Sequence, residues 1–210
     1  DKLTYAGNLE NLSEVLNQIE FIQGDINDPD IVSKSLNKID CLINFAAESH
    51  VDRSITSSDV FLNTNVLGTK NLLDQIIKVG NIRFIQISTD EVYGSIESGE
   101  ATEVSLLLPN SPYAASKASA DLVVRSYNYG PNQYPEKIIP LFVSNLMQGK
   151  KVPIYGDGLN KRDWLHVEDH CQAISLVLKN GKSGEIYNIA AWNETTNKTI
   201  AEKILDAMNK

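Results

Sequence analysis

The chain has 210 residues, of which 42% are apolar and 22% charged, a composition ordinary for a globular protein with one sizeable core and part of a second. Its net charge of -8 argues against nucleic-acid binding, which needs clustered Lys and Arg. The two cysteines lie outside any CxxC pair, which argues against a disulfide framework and a zinc site. The sequence shows no signal-peptide pattern and no apolar stretch of about 20 residues, which argues against a membrane span, and we expect a cytoplasmic protein.

The first half of the chain alternates between strand and helix patterns. Short apolar runs at 19–23, 41–46 and 83–88 lack the alternation of half-exposed strands, so they predict strands buried on both faces. Between them, Asp28 and Pro29 predict the start of one helix, and a second pattern runs from Phe61 to Gly80. This order predicts an α/β fold, a doubly wound parallel sheet of Rossmann-like type.

The second half opens with another capping pair, Ser111 and Pro112, which predicts a helix to about Tyr127. Further patterns predict helices near 137–148, at 168–179 and from 195 to the end, and a strand at 185–189.

Tyr113 and Lys117 are the first residues that suggest chemistry. Residues four apart share one helix face, so the phenol and the ammonium can approach each other. A nearby cation lowers the pKa of a phenol from about 10 towards neutrality, which predicts a general acid or base. The alternative interpretation is a pair on an exposed helix surface.

Thr89, Asp90 and Glu91 directly follow the third predicted strand. Ligands of open α/β sheets bind at the carboxyl ends of the strands, and two carboxylates in unlike environments can serve as acid and base in one site. The alternative interpretation is a loop cap.

Weaker signals come from three other places. Ala46 and Ala47 end the second predicted strand and leave room for a cofactor beside the backbone. With three histidines and no carboxylate at helical metal spacing, His50 predicts no metal site. Tyr155 could stack on a base and Arg162 could bind phosphate, although a turn with an aromatic plug explains them equally well.

These motifs together resemble the extended short-chain dehydrogenase/reductase family and, within it, the dTDP-glucose 4,6-dehydratases. The resemblance covers most of the chain and is carried by segments 1–8, 46–54, 88–94, 110–121, 128–131 and 162–170. The Thr-Asp-Glu triplet at 89–91 is the most specific of them. Related epimerases and decarboxylases keep the Tyr/Lys pair without these acids, and GDP-mannose 4,6-dehydratases place a Glu without the preceding Asp.

The resemblance implies two domains, an NAD-binding Rossmann-like domain over 1–136 and a mainly nucleotide-sugar-binding domain over 137–210. The implied contacts with NAD come from Asp1, Lys2, Leu3, Thr4, Asp25, Ile26, Ala46, Ala47, Glu48, Thr64, Tyr113, Lys117 and Asn128. The implied contacts with dTDP-glucose come from Ser49, Thr89, Lys137, Ile138, Pro153, Ile154, Tyr155, Arg162 and Asn188.

The implied catalytic residues are Thr89, Asp90, Glu91, Tyr113 and Lys117. Tyr113 would take the proton of the sugar 4-hydroxyl while hydride passes from carbon 4 to NAD. Glu91 would then remove the proton on carbon 5, Asp90 would protonate the departing 6-hydroxyl, and the hydride would return to carbon 6. The product would be dTDP-4-keto-6-deoxyglucose, an intermediate of rhamnose-type deoxysugar biosynthesis.

The chain departs from this family pattern in two places. It has no glycine-rich turn of the GxGxxG or GxxGxxG type, and no strand pattern separates Tyr127 from Asn128. We expect that further segments of the protein lie outside this sequence, and that a chain limited to these residues would not bind NAD. The C-terminal domain also stops short at Lys210.

Two other functions remain open from the sequence. One is a different nucleotide-sugar dehydratase or epimerase, and the other is a non-catalytic nucleotide-sugar-binding paralogue. The resemblance further suggests a homodimer formed through the predicted helices near 56–79 and 112–127.

Overall fold

The computed structural model describes residues 1–127 and 157–208, which fall into two compact units. The described part of the first unit comprises 1–127 and 182–187, and that of the second comprises 157–181 and 188–208. The helix predicted near 137–148 lies outside the described residues. The assignment of cofactor and substrate binding to separate domains stays a prediction.

A parallel pair of strands forms the sheet of the first unit. β1 (Cys41–Asn44) pairs with β2 (Arg83–Gln86), with Cys41 opposite Arg83 and Asn44 opposite Gln86. Two of the predicted strands are therefore confirmed, each two residues shorter at its carboxyl end. The direction of pairing is that of a doubly wound sheet.

The strand predicted at 19–23 is wrong, since this run is extended chain without a strand ladder. Asp1 pairs with it, donating its amino group to the Ile22 carbonyl at 3.0 Å and accepting the Gly24 N–H at 2.9 Å. A strand needs successive partners, and beyond Asp1 the chain turns away at Leu3, whose φ is 54°. The second wrong strand, at 185–189, has no paired strand among the described residues.

The helices of the first unit begin where the capping residues predict. α1 (Pro29–Ser35) is capped by Asp28, whose carboxylate accepts the N–H groups of Asp30 and Ile31 at 2.9 and 3.1 Å. α5 (Pro112–Ser126) is capped by Ser111 through the Ala114 N–H at 3.0 Å. Two local signals, a cap and a first-turn proline, therefore set both starting points correctly.

The long helix predicted at 61–80 is confirmed in position, but it is not α-helical throughout. It comprises a π-helical segment (Leu62–Gly68) and α4 (Thr69–Val79), and two short helices, α2 (Val51–Thr56) and α3 (Ser58–Phe61), precede it. Gly80 ends α4 with a φ of 76°. π-Helical turns are rare and occur most often at functional sites.

The core of the first unit lies between the sheet, α1, α4 and α5. Its buried apolar side chains are Val32, Leu36, Leu72, Leu73, Ile76, Ile82, Phe84 and Val124. This packing fixes α5 against the sheet and so determines where the residues of that helix face.

The second unit comprises β3 (Lys161–Asp163), α6 (Val167–Asn180), β4 (Glu194–Thr196) and α7 (Asn197–Ala207) in chain order. The two strands pair antiparallel. Both predicted helices are confirmed. The three-residue strands carry no apolar pattern, which is why the sequence did not predict them. None of the helices in the described ranges combines the length and apolarity needed to cross a membrane.

Candidate active site

Lys117 anchors α5 to the carboxyl end of β2. Its side chain is 2% exposed, and its ammonium donates a hydrogen bond to the Ile87 carbonyl at 2.6 Å. Tyr113, one turn earlier, is buried as well and packs edge-on against Phe61, with ring centroids 6.3 Å apart. Both residues are therefore buried, which does not fit the alternative of an exposed surface pair.

The Thr89-Asp90-Glu91 triplet forms a single 3-10 turn just beyond β2. Thr89 is buried and caps the 3-10 helix Asp90–Tyr93, accepting the Glu91 N–H at 3.3 Å and donating its hydroxyl to the Asp90 carboxylate at 3.2 Å. The capping interpretation is therefore correct for Thr89. Asp90 is exposed and Glu91 half-buried, so the two carboxylates stand in unlike surroundings, as an acid and base pair requires.

The Lys117 hydrogen bond brings these two groups to one edge of the sheet. Ile87, which accepts it, precedes Thr89 by only two residues. α5 and the 3-10 turn therefore both lie at the carboxyl end of β2, where ligands of open α/β sheets bind.

Asp121 was missed by the sequence analysis. It lies one turn beyond Lys117 and accepts a short hydrogen bond from the Ser88 hydroxyl. Burial raises the pKa of Asp121 to about 6, against the opposing effects of Ser88 and Lys117. Burial likewise lowers the pKa of Lys117 to about 8, against the opposing charge of Asp121.

Asn65 was also missed. Its side chain is 1% exposed and accepts the Glu48 N–H at 2.8 Å while donating to the Glu48 carbonyl at 3.0 Å. It lies in the π-helical segment beside Thr64, a predicted cofactor contact. Its position four residues after Phe61, on the predicted apolar face, was the one signal that could have indicated a buried polar residue.

A second buried amide, Asn44, shapes the start of the predicted cofactor segment. It donates to the side chains of Gln86 at 2.9 Å and Thr69 at 3.2 Å, and it accepts the Ala46 N–H at 3.1 Å. With Asn65 it holds the backbone of 46–48 from both ends. The small side chains of Ala46 and Ala47 leave that backbone accessible.

The residues predicted to bind the adenosine of NAD lie close to one another. Lys2 forms an ion pair with Asp25 at 2.5 Å, and the Asp1 carboxylate accepts the Leu3 N–H at 2.6 Å. Burial acts to raise the pKa of Asp25, but the hydrogen bonds from Lys2 and Asn27 outweigh it and lower the pKa.

Ile26 is fixed beside this group by its backbone. The Asn71 amide donates to its carbonyl at 2.8 Å, and a Cβ at Gly68 would collide with its side chain. The glycine that ends the π-helical segment thus allows the Ile26 side chain to approach the helix closely.

These residues fit a dinucleotide at both ends. Asp1, Asp25 and Ile26 offer a carboxylate and an apolar wall for adenosine, and Tyr113 and Lys117 offer a phenol and an ammonium for the nicotinamide ribose. The turn that would hold the pyrophosphate is not part of this sequence.

The remaining predicted residues lie in the first unit, in the second unit and in the segments outside the described residues. Arg162 lies exposed on β3 opposite Thr195, and Asn188 is half-buried in a loop. Ser49 and Glu48 are half-buried next to α2. The predicted contacts that lie outside the described residues are Asn128, Lys137, Ile138, Pro153, Ile154 and Tyr155.

The described residues hold no metal cluster, and a surface depression among them is lined by none of the predicted site residues. No three His, Cys, Asp or Glu side chains cluster in these ranges so as to hold a metal ion. A depression of about 340 Å³ on α6 is lined by Cys171, Gln172, Ser175, Leu176 and Lys179, and it contains none of the predicted site residues.

Comparison with known proteins places this geometry in context. Residues 1–190 match the model of the NAD dependent epimerase/dehydratase family. A dTDP-glucose 4,6-dehydratase of Streptomyces antibioticus is 50% identical over 99% of this chain, and one of Actinoplanes sp. is 46% identical over 99%. The chain spans 66% of the length of the former and 70% of the latter.

Solved structures give the same result. DesIV, a dTDP-glucose 4,6-dehydratase from Streptomyces venezuelae determined with NAD bound, superposes with a TM-score of 0.93 at 50% identity, and the match covers 100% of this chain and 70% of that one. A UDP-glucose 4-epimerase of Thermotoga maritima superposes with a TM-score of 0.88 at 25% identity, covering 100% of this chain and 73% of that one. The resemblance to dTDP-glucose 4,6-dehydratases and the Rossmann-like fold class are thereby confirmed.

Proposed function

Since this chain belongs to the NAD dependent epimerase/dehydratase family, we propose that its protein is an NAD-dependent dTDP-glucose 4,6-dehydratase that forms dTDP-4-keto-6-deoxyglucose. The observation that carries the proposal is the hydrogen bond from Lys117 to the Ile87 carbonyl. It brings the Tyr113/Lys117 helix to the strand end that bears Thr89, Asp90 and Glu91. The names of the similar proteins support the same reaction.

Tyr113 and Lys117 carry the first step. The buried ammonium favours the ionised phenol, so Tyr113 can remove the proton of the sugar 4-hydroxyl. When bound, NAD supplies an acceptor and donor of hydride that is restored within each turnover. The residues that would hold it, among those described, are Asp1, Lys2, Leu3, Thr4, Asp25, Ile26, Ala46, Ala47, Glu48, Thr64, Tyr113 and Lys117.

Glu91 and Asp90 carry the elimination. A ketone at carbon 4 acidifies the proton on carbon 5, and Glu91 removes it while Asp90 donates a proton to the 6-hydroxyl, which leaves as water. Thr89 holds the Asp90 carboxylate by one hydrogen bond and the Glu91 backbone by another. Ser49 and Thr89 would contact the sugar, and Arg162 and Asn188 the thymidine diphosphate, together with Lys137, Ile138, Pro153, Ile154 and Tyr155.

The adjacent carboxylates favour a dehydratase over an epimerase of the same family. An epimerase needs no acid for a leaving hydroxyl, whereas elimination of water needs a base and an acid on one face of the sugar. The exposed Asp90 next to the half-buried Glu91 supplies this pair.

Finer features of the proposal rest on the resemblance and the sequence. We propose a cytoplasmic homodimer that serves rhamnose-type deoxysugar biosynthesis for surface polysaccharides. The two helical stretches near 56–79 and 112–127 carry exposed apolar side chains, which support a dimer. These side chains are Leu62, Leu67, Ile77 and Leu122. Sedimentation of the full-length protein tests this point.

The decisive experiment incubates the full-length protein with dTDP-glucose and no added reductant, and follows the alkaline absorbance of the 4-keto-6-deoxy product. UDP-glucose and GDP-mannose run in parallel. We expect product from dTDP-glucose alone, lost in Glu91→Gln and Tyr113→Phe. Glu97→Gln and Tyr127→Phe are matched controls outside the site and should retain turnover.

The other outcomes decide between the alternatives. Product from a different nucleotide sugar would support the dehydration reaction and refute thymine as the nucleobase of the substrate. No product from any of the three, in protein that binds NAD, would refute the enzyme and support a non-catalytic nucleotide-sugar-binding protein.

A further inference from the structure

Tyr113, Lys117 and Asp121 form a stripe along the buried face of α5. Successive members are four residues apart, so they lie on one side of the helix one turn above another. Their relative exposures are 4%, 2% and 9%. The proposed mechanism uses the first two and leaves the buried carboxylate without a role.

Two consecutive residues after β2 hold the charged members of this stripe. The Ile87 carbonyl accepts the Lys117 ammonium at 2.6 Å, and the Ser88 hydroxyl donates to one oxygen of the Asp121 carboxylate. The other carboxylate oxygen is buried without a hydrogen-bond partner among the described residues. Hydrogen bonding thus satisfies only one of the two Asp121 oxygens, and the adjacent positive charge offsets part of the cost of burying the carboxylate.

The electrostatic partner of Lys117 is Asp121. Charged side chains also occur on the other elements packed against α5 and on β2, namely Asp52, Arg53, Asp59, Lys70, Asp74, Lys78, Arg83, Asp90 and Glu91. In the described part of the chain, Asp121 alone raises the pKa of Lys117, which burial lowers to about 8. Removing the carboxylate would leave a desolvated ammonium that readily loses its proton.

We propose that Asp121 is a positioning residue that holds the Lys117 ammonium charged and in place beside Tyr113, with Ser88 fixing the carboxylate. Its effect on Tyr113 as a base rests on the proposed function, but its effect on the Tyr113 phenol does not. Asp121 acts through Lys117 and has no contact with substrate in this role.

A tyrosine titration tests the proposal without turnover. The near-ultraviolet absorbance of tyrosinate is followed against pH in the full-length protein, and the same titration in a Tyr113→Phe background is subtracted to isolate Tyr113. In Asp121→Asn we expect the Tyr113 signal to develop at a pH higher by about one unit than in the wild type, because the neighbouring cation is lost near neutral pH.

Asp74→Asn is the matched control. Asp74 also follows a lysine by four residues, and its ion pair with Lys70 at 2.5 Å lies on the surface of α4. Its hydrogen bond to the Tyr127 hydroxyl affects a different tyrosine, which cancels in the subtraction. This variant should leave the Tyr113 signal unchanged.

Ser88→Ala and Asp121→Glu complete the test. Ser88→Ala retains the carboxylate but removes its donor, and we expect a smaller shift in the same direction. Asp121→Glu should restore part of the wild-type midpoint. If Asp121→Asn does not fold, the Ser88→Ala titration alone decides the matter.

If the midpoint of the Tyr113 titration is the same in folded Asp121→Asn as in the wild type, the proposal is overturned and Asp121 is a purely structural residue. Where Asp121→Asn does not fold, an unchanged midpoint in Ser88→Ala overturns it. Failure of the proposed function is separate. A wild-type protein without dehydratase activity that still shows the shift would retain the Asp121 inference and lose the enzyme.

Discussion

The Asn65 amide donates a hydrogen bond to the Ser116 hydroxyl at 2.8 Å and thereby ties the π-helical segment to α5. Ser116 directly precedes Lys117, and the same amide also binds the backbone of Glu48 on both its N–H and its carbonyl. One buried side chain therefore joins three chain segments that carry predicted cofactor contacts. Buried networks of this kind rigidify a site when every member is satisfied.

Replacing Asn65 with alanine should both destabilise the protein and weaken NAD binding. The change removes three hydrogen bonds and leaves the partly buried Glu48 backbone groups without these partners, so we expect the free energy of unfolding to fall by about 3 kcal/mol. Urea unfolding measures the first effect and an NAD titration the second. Asn63→Ala, on the exposed side of the same segment, should change neither quantity. Equal effects of the two variants would contradict the role of Asn65.

Thr89→Val should separate the effect of the Thr89 hydroxyl from the effect of the side-chain volume. Valine fills the same volume but can neither accept the Glu91 N–H nor donate to Asp90, so the 3-10 turn loses its cap. We expect a loss of about 1 kcal/mol in stability and about a tenfold fall in kcat, since the acid and the base lose their shared support. Thr89→Ser keeps the hydroxyl and should stay near the wild type in both measurements. A Thr89→Ser variant as impaired as Thr89→Val would show that the methyl group, not the hydroxyl, matters.

Local signals in the sequence predicted the helix starts well. Asp28 with Pro29 and Ser111 with Pro112 determine structure within three or four residues, so no tertiary information is needed to find them. The same holds for Gly80, whose positive φ ends α4. The placement of Tyr113 and Lys117 on one buried helix face is local in the same sense, because one helix turn separates them.

The features that were missed depend on residues distant in sequence. Asn65 and Ser116 are 51 positions apart, and Ser88 and Asp121 are 33 apart, so no pattern within one element reveals either bond. The wrong strand at 19–23 has the same origin. Its composition suits a strand, but a strand exists only where successive residues of a neighbour complete its ladder.

Gly94→Ala should destabilise the protein more than Gly80→Ala does. Both glycines have nearly the same backbone conformation, φ 79° and ψ -159° at Gly94 against φ 76° and ψ 162° at Gly80, so the conformational strain of an alanine is about equal. They differ in their surroundings. A Cβ at Gly94 would collide with the Leu108 carbonyl oxygen, whereas one at Gly80 meets nothing within 4 Å.

The difference between the two variants therefore measures the close approach of the 3-10 turn to the following loop. We expect Gly80→Ala to cost about 2 kcal/mol in the free energy of unfolding, and Gly94→Ala to cost about 2 kcal/mol more. Gly94→Ala should also lower kcat, because Asp90 and Glu91 belong to the turn that must shift. Equal costs in urea unfolding would refute the steric argument.

The stability of the protein should depend on pH through Asp121 with a sign opposite to that of an ordinary surface carboxylate. Burial raises the pKa of Asp121 to about 6 from its usual 3.8, so between these values the folded state binds a proton that the unfolded state has released. Stability from this group is then present below pH 3.8 and is lost as the pH rises towards 6. Relative to Asp121→Asn, the wild type should lose roughly 2 kcal/mol over that interval.

Urea unfolding of both proteins at several pH values between 4 and 6 measures this difference, in which the titration of all other groups cancels. Lys117 stays protonated throughout, since its pKa is about 8 in the wild type. The difference in stability between the wild type and Asp74→Asn should not fall over this interval. Hydrogen bonds from Lys70 and Tyr127 lower the pKa of Asp74, so its titration affects stability only in more acidic solutions. A constant difference between wild type and Asp121→Asn would mean that Asp121 ionises as readily in the folded protein as in the unfolded chain. The Ser88 hydrogen bond and the Lys117 charge, which lower the pKa of this carboxyl, would then fully offset the effect of its burial.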